Sequence, residues 1–284
     1  MNIKRISSTV SLVVATLCAG TAAVQAHADE HALALGDSVP FGYITEAGHE
    51  YVNADNFIGS PEYVGAALRL QTANASCPGE TTASFLSPTG ADHGCRAFRA
   101  QFPLHVPYAS TQMAYAKTFL AEHRNTRLVT ISLGANDLFL LEDTCATDPN
   151  PPQCIAAGLP AVLNSVGTRI GTVLAELRAA GFSGVIVIVN YYSLDYSDPT
   201  GTAITALLNQ AIAAPAGAYG AVIADVFSAY KKVVSDPAIQ GKTCNAGLLN
   251  VNPQSEALCD VHPSQSGQRL IAKTVTEAYR AASW

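Results

Sequence analysis

An α/β chain organised on a parallel sheet is the fold class this sequence predicts, and two observations carry that expectation. Short β-branched runs without polar alternation recur along the chain, the pattern of strands covered on both faces. Between them lie longer segments whose apolar residues return every three or four positions. Right-handed crossovers leave few topologies for such alternation, and a five-stranded doubly wound sheet between two helical layers is the natural one.

Each element has its own signal. Leu33–Leu35 is a short apolar run that follows Asp29-Glu30-His31 and stops at Gly36. Pro61–Arg69 reads as a helix, and Leu70–Ala75 as a weak second strand. Ser110–His123 places Met113, Ala116, Phe119 and Leu120 on one helical face. Leu128–Leu133 is a β-branched strand ending at Gly134. Leu159–Ala180 sets Val162, Val166, Ile170, Leu174 and Leu177 at helical spacing and stops at Gly181. Val185–Val189 is the clearest strand, Ala203–Ala214 a helix, Ala221–Val226 a further strand and Ser264–Ala282 a closing helix. The polar stretches Glu46–Ser60, Pro78–Pro107, Glu142–Gln153 and Tyr191–Thr202 read as surface loops, and neither an internal repeat nor a linker composition interrupts the chain.

Composition bounds the function. The chain has 284 residues, 49% apolar and 13% charged, which excludes global disorder and suffices for one large core, here residues 29–284 as a single domain. A net charge of −6 without a basic cluster argues against nucleic acid as a partner. Residues 1–28 read as a signal peptide: Lys4 and Arg5, an apolar stretch from about Val10 to Ala23, then Ala26-His27-Ala28 with cleavage after Ala28. The apolar stretch falls short of the ~20 residues of a spanning helix, and Leu17 before Cys18 is too large for a lipid-anchor site. The expectation is a secreted protein, extracellular or periplasmic, with no stable membrane insertion after cleavage. Six cysteines then remain, an even count that reads as disulfides in an exported chain. Pairing sequence neighbours, Cys77–Cys95, Cys145–Cys154 and Cys244–Cys259, is the simplest of the 15 possibilities. No paired C-x-x-C or adjacent histidine spacing calls for a metal.

In a doubly wound sheet, ligands gather beyond the carboxyl ends of the strands. Four short polar motifs stand there: Gly36-Asp37-Ser38 with Gly42, Pro78-Gly79-Glu80, Gly134-Ala135-Asn136-Asp137, and Asp260-Val261-His262-Pro263. Singly, each has a bland reading as a turn or helix entry. Together they bring a hydroxyl nucleophile, an imidazole base and polar donors to one edge of one sheet.

The set resembles the SGNH, or GDSL-type, hydrolases across residues 33 to 267. Gly36-Asp37-Ser38 matches the nucleophile block, Gly79 the glycine of the second, Gly134-Ala135-Asn136-Asp137 the G-x-N-D block and His262-Pro263 the last. The resemblance implies a flavodoxin-like three-layer α/β/α sandwich and a serine ester hydrolase, an esterase or lipase, that needs no cofactor. Ser38 would be the nucleophile and His262 the base. The backbone N–H groups of Ser38 and Gly79 and the Asn136 amide would form the oxyanion hole, with glycine at 79 letting backbone approach the substrate. The family's last block usually reads D-x-x-H, whereas here Cys259 holds the acid's place and Asp260 stands two residues before His262. Either the Asp260 carboxylate or a backbone carbonyl of that turn would orient the imidazole; a full charge stabilises an imidazolium better than a dipole, which favours Asp260.

Asp37 and Asp137 are expected to be structural, bonding nearby groups rather than the substrate. His31 would start a strand, while His49, His93, His105 and His123 would be surface or capping residues rather than bases. Phe41, Tyr43, Phe139, Tyr191, Tyr192 and Tyr196 lie near strand ends, where they would either line an acyl groove or pack loops. The substrate would be a small-molecule or lipid ester. A carbohydrate acetylesterase of the same family, or a non-catalytic glycan- or lipid-binding envelope protein, are the alternatives.

Overall fold

The computed structural model describes residues 30–252 and 255–283. The proposed signal peptide and its cleavage site lie outside the described residues. In chain order the elements are β1 (His31–Gly36), α1 (Ser38–Phe41), α2 (Ser60–Leu68), β2 (Gln71–Asn74), α3 (Thr82–Leu86), α4 (Cys95–Gln101), α5 (Gln112–Glu122) and β3 (Thr126–Ser132). There follow α6 (Ala135–Cys145), α7 (Pro151–Ala179), β4 (Val185–Val189), α8 (Pro199–Ala213), β5 (Ala221–Ala224), α9 (Val226–Val234), β6 (Leu249–Asn252), β7 (Ser255–Pro263) and α10 (Gln265–Ala282).

Strands β1 to β5 form one sheet in the order β2-β1-β3-β4-β5, with every neighbouring pair parallel. This is the doubly wound order whose switch point lies between β1 and β3. Helices α5, α7 and α8 pack together, as do α2, α9 and α10, giving a helical layer on each face. The runs Leu33–Leu35 and Ile186–Val189 are buried along their whole length, because parallel strands between two layers have no solvent face. Opposite them, Val166, Ile170, Val173, Leu174 and Leu177 of α7 are fully buried.

The structure corrects the sequence reading at several boundaries. The stretch Pro78–Pro107 contains α3 and α4, and α7 begins at Pro151 instead of Leu159. Proline is tolerated at the first turn of a helix, where its missing N–H has no partner to lose. The fifth strand ends at Ala224, since the Asp225 side chain accepts the Ser228 N–H and starts α9. Helix α9 and the antiparallel β6–β7 hairpin have no counterpart in that reading. Cysteines join as sequence neighbours: Cys77–Cys95, Cys145–Cys154 and Cys244–Cys259. Among the described residues no helix is long and apolar enough to cross a membrane.

Candidate active site

Strand β1 ends at Gly36, whose φ of 149° and whose approach to β3 both require glycine: a Cβ there would lie 2.1 Å from the Ser132 carbonyl oxygen. The chain then turns through Asp37, whose Oδ1 accepts the Val39 N–H at 2.9 Å and so starts the one-turn helix α1 with Ser38 as its first residue. Tyr191, just beyond β4, donates its hydroxyl to Asp37 Oδ2. Burial pushes the Asp37 carboxyl up to about 6, against the lowering effect of those hydrogen bonds. Asp37 therefore holds the turn that carries Ser38, as a structural carboxylate should.

His262 comes from strand β7, and here the departure from D-x-x-H finds its physical reason. Residues two apart on a strand share a face, so Asp260 and His262 project together while Cys259, bonded to Cys244, takes the other side. His262 Nδ1 lies 2.9 Å from both Asp260 oxygens, and Nε2 lies 2.9 Å from Ser38 Oγ. A carboxylate only accepts, so Nδ1 carries the proton and Nε2 is left to accept from the serine hydroxyl. The Thr45 N–H donates to Asp260 Oδ2 at 3.1 Å. Burial works to raise the Asp260 pKa, but the imidazole and Thr45 outweigh it and hold the carboxyl below its ordinary value. The hairpin itself is fastened where Tyr192 Oη donates to the Val261 carbonyl at 2.7 Å.

Asn136 lies in the first turn of α6, beside the serine. Its Nδ2 donates to the Glu80 carbonyl at 2.9 Å, and its Oδ1 is 3.2 Å from His93 Nδ1, so the amide is held at both ends and one N–H remains to point elsewhere. His93 in turn contacts Asp143 through Nε2 at 3.1 Å. It is a half-buried support for Asn136, a role invisible in the sequence because 43 positions separate the partners. Gly79, with φ of 83°, precedes Glu80; a Cβ there would lie 2.4 Å from the His93 carbonyl oxygen. Its need for glycine thus comes from packing against residues 93–95, not from room left for a substrate. Asp137 faces away, accepting the Thr82 N–H at 2.9 Å and hydroxyl at 2.6 Å, with Arg169 at 3.5 Å.

Ser38, Asn136 and His262 open into a groove of about 280 Å³ between α6, α8 and the segment after β4. Leu138, Phe139, Tyr191, Tyr192, Ile204 and Leu208 line it, with Glu142, Asp195 and Asp198 also in its lining, so three of the six aromatic candidates do line it. The other three are not among its lining. Phe41 is fully buried, and with Tyr43 it belongs to an aromatic cluster around Phe57 and Phe98; Tyr43 also meets the His262 ring edge-on, with centroids 4.9 Å apart, and Tyr196 donates its hydroxyl to the Phe227 carbonyl. Gly79 is not among the groove-lining residues. Among the described residues the tight cluster of potential metal donors is Cys77, Glu80 and Cys95, but its two sulfurs are joined to each other and so are not thiolate ligands.

The sequence profile of the GDSL-like lipase/acylhydrolase family matches residues 34–270, most of the chain and all four motifs. The chain belongs to that family. The GDSL-like acylhydrolase is accordingly a carboxylic ester hydrolase, and its fold recurs in solved structures of low sequence identity. An α/β hydrolase from the metagenome of Lake Arreo, Spain, superposes with a TM-score of 0.55 at 15% identity, over 89% of this chain and 96% of the other. An acetylxylan esterase from Geobacillus stearothermophilus gives 0.54 at 15% identity, over 88% and 94%. A phospholipase A1 from Streptomyces albidoflavus gives 0.52 at 17% identity, over 90% and 98%. Comparison with curated protein sequences finds no significant match.

Proposed function

We propose that this acylhydrolase is exported and cleaves carboxylic esters through a covalent acyl-enzyme on Ser38, with His262 as acid and base and Asp260 as its orienting carboxylate. The single observation that carries this reading is the unbroken run of contacts from Asp260 through both imidazole nitrogens to Ser38 Oγ, each 2.9 Å. Ser38 Oγ attacks the ester carbonyl as Nε2 takes its proton. Negative charge develops on the carbonyl oxygen, and the Ser38 N–H and the free Asn136 amide hydrogen, which open onto the groove, stabilise it; the N–H of Gly79, outside the groove lining, is the third proposed donor. The imidazolium, paired with Asp260, then protonates the departing alcohol. Water, deprotonated by the same nitrogen, attacks the acyl carbonyl; the acid leaves and Ser38 recovers its proton.

The groove bears on the substrate. Its wall is dominated by leucine, isoleucine and aromatic side chains, which reward burial of an acyl chain more than of a hydroxyl-rich sugar. That supports a lipid-type or simple carboxylic ester over an acetylated carbohydrate. Export is supported by the order of residues 1–28 and by three cysteine pairs, which persist in oxidising compartments.

The test is hydrolysis of p-nitrophenyl butyrate together with labelling by a fluorophosphonate. Ser38→Ala is expected to lower kcat by about 10³-fold or more and to abolish labelling. Labelling that persists in that variant would remove Ser38 from the nucleophile's role.

A further inference from the structure

Two buried polar residues beside the site touch no part of the groove, yet their side-chain and main-chain hydrogen bonds together reach the segments that carry the proposed oxyanion donors. Gln112, fully buried in the first turn of α5, accepts the Gly36 N–H on Oε1 at 2.9 Å. Its Nε2 donates to the Gly36 carbonyl at 2.7 Å and to Glu80 Oε2 at 2.7 Å. Gly36 lies two residues before Ser38. Glu80, 2% exposed, also accepts the Ser84 hydroxyl on Oε1, follows Gly79 directly, and holds Asn136 through its own carbonyl. The Cys77 N–H closes the circuit by donating to the Gly36 carbonyl at 3.0 Å.

We propose that Glu80 and Gln112 are positioning residues for ester hydrolysis: together they form a bracket that sets the spacing between the Ser38, Gly79 and Asn136 donors. The inference rests on the mechanism proposed above. A carboxylate and an amide in a core lose hydration that an apolar pair of equal volume would not, so stability alone is a weak reason for them. Direction is what they add. Apolar contacts let neighbouring elements slide, whereas Gln112 grips both backbone groups of one residue and the side chain of another, in a plane. Oxyanion donors need that control, because a displacement of about 1 Å is enough to lose on the order of 10²-fold in rate. The separations, 76 residues from Gln112 to Gly36 and 32 to Glu80, show that the bracket joins parts of the chain no local turn would register.

The experiment measures kcat and KM for p-nitrophenyl butyrate and inhibition by an alkyl boronic acid, whose Ser38 adduct is tetrahedral and anionic like the intermediate. It compares wild type, Gln112→Ala, Glu80→Ala, the double variant and the shape-conserving Glu80→Gln. Gln112→Ala is expected to lower kcat by about 10- to 100-fold, to leave KM within about threefold, and to weaken the boronate in step with kcat. The double variant should lose no more than the worse single one, as members of one unit do. Glu80→Gln, which keeps the volume and one acceptor, should show a smaller loss of the same kind and serves if the alanine variants do not fold. A merely structural pair would lower Tm and leave kcat at 25 °C intact. That result, or a fall in kcat without weaker boronate binding, overturns the proposal. Ser38→Ala run alongside separates the failures: an active Ser38→Ala removes the mechanism itself, while an inactive one beside an unimpaired Gln112→Ala removes only the bracket.

Discussion

The two sides of the site are built from different material. On the side proposed for acid–base work, Asp260 and His262 sit on a two-stranded hairpin, with side chains 7% and 13% exposed and a carboxyl held below its ordinary pKa. On the donor side, Asn136, Glu80 and Gln112 are buried, and burial pushes the Glu80 carboxyl up to about 7, against the lowering effect of Ser84 and Gln112. One side keeps a charge beside the imidazole, where it can orient the ring and stabilise its protonated form. The other keeps dipoles still, which requires burial and tolerates the raised pKa that burial brings. The contrast teaches that burial alone does not fix the state of a carboxyl: Asp260 and Glu80 are both buried, yet a partner imidazole lowers one pKa while burial raises the other.

The contrast is sharpest at the donor side. Asn136→Ala is expected to lower kcat by about 10²- to 10³-fold, equivalent to ~2.7–4 kcal/mol of transition-state stabilisation, with little change in KM. Steady-state kinetics on p-nitrophenyl butyrate checks this, and an unchanged kcat would leave the donor side without its named amide. On the acid–base side, Asp260→Asn and Asp260→Ala should each cost at least about tenfold in kcat. Wild-type rates in both would mean that Thr45 and the hairpin backbone suffice to orient His262.

Stability offers two finer probes. Removing the bridge at Cys77 and Cys95, which closes a loop of sequence separation 18 beside Glu80, should cost on the order of 3 kcal/mol and lower Tm. Thermal melts of Cys77→Ala/Cys95→Ala read it, and an equal Tm would show the donor side needs no covalent brace. The smallest effect concerns pH. Asp37 and Glu80 have folded pKa values of about 6 and about 7, against ordinary values of 3.8 and 4.5. The folded protein therefore binds protons more tightly at these two groups, and their contribution to stability declines as pH rises from about 4 through 7. Asp260, lowered by its partners, acts in the opposite sense, but its contribution is already complete above its ordinary pKa of 3.8. Tm should fall by several degrees between pH 5 and pH 8, and Glu80→Gln should flatten that slope.

Much of this was legible in the residues themselves. Ile186–Val189 declares a strand buried on both faces, and the 3–4 spacing from Val166 to Leu177 declares a helix, because each pattern reflects the geometry of its own segment. The GDS, G-x-N-D and His-Pro motifs mark the strand ends that meet at Ser38, and cysteines close in sequence did pair. Helix α9 carries its own signal in the sequence: Val226, Tyr230 and Val234 recur every fourth residue, and all are buried.

What no local pattern carries is partnership at a distance. The chain by itself determined which segments become strands and helices, and which side chains stand where strands end, since periodicity and strand termini are properties of neighbouring residues. Only the tertiary structure decided that a β-strand, instead of a turn, carries Asp260 and His262 and so lets a two-residue spacing serve, that His93 holds Asn136, and that Gln112 joins Gly36 to Glu80. Those contacts form when separate crossovers are packed on one sheet, and their distances follow from how the layers seat against each other.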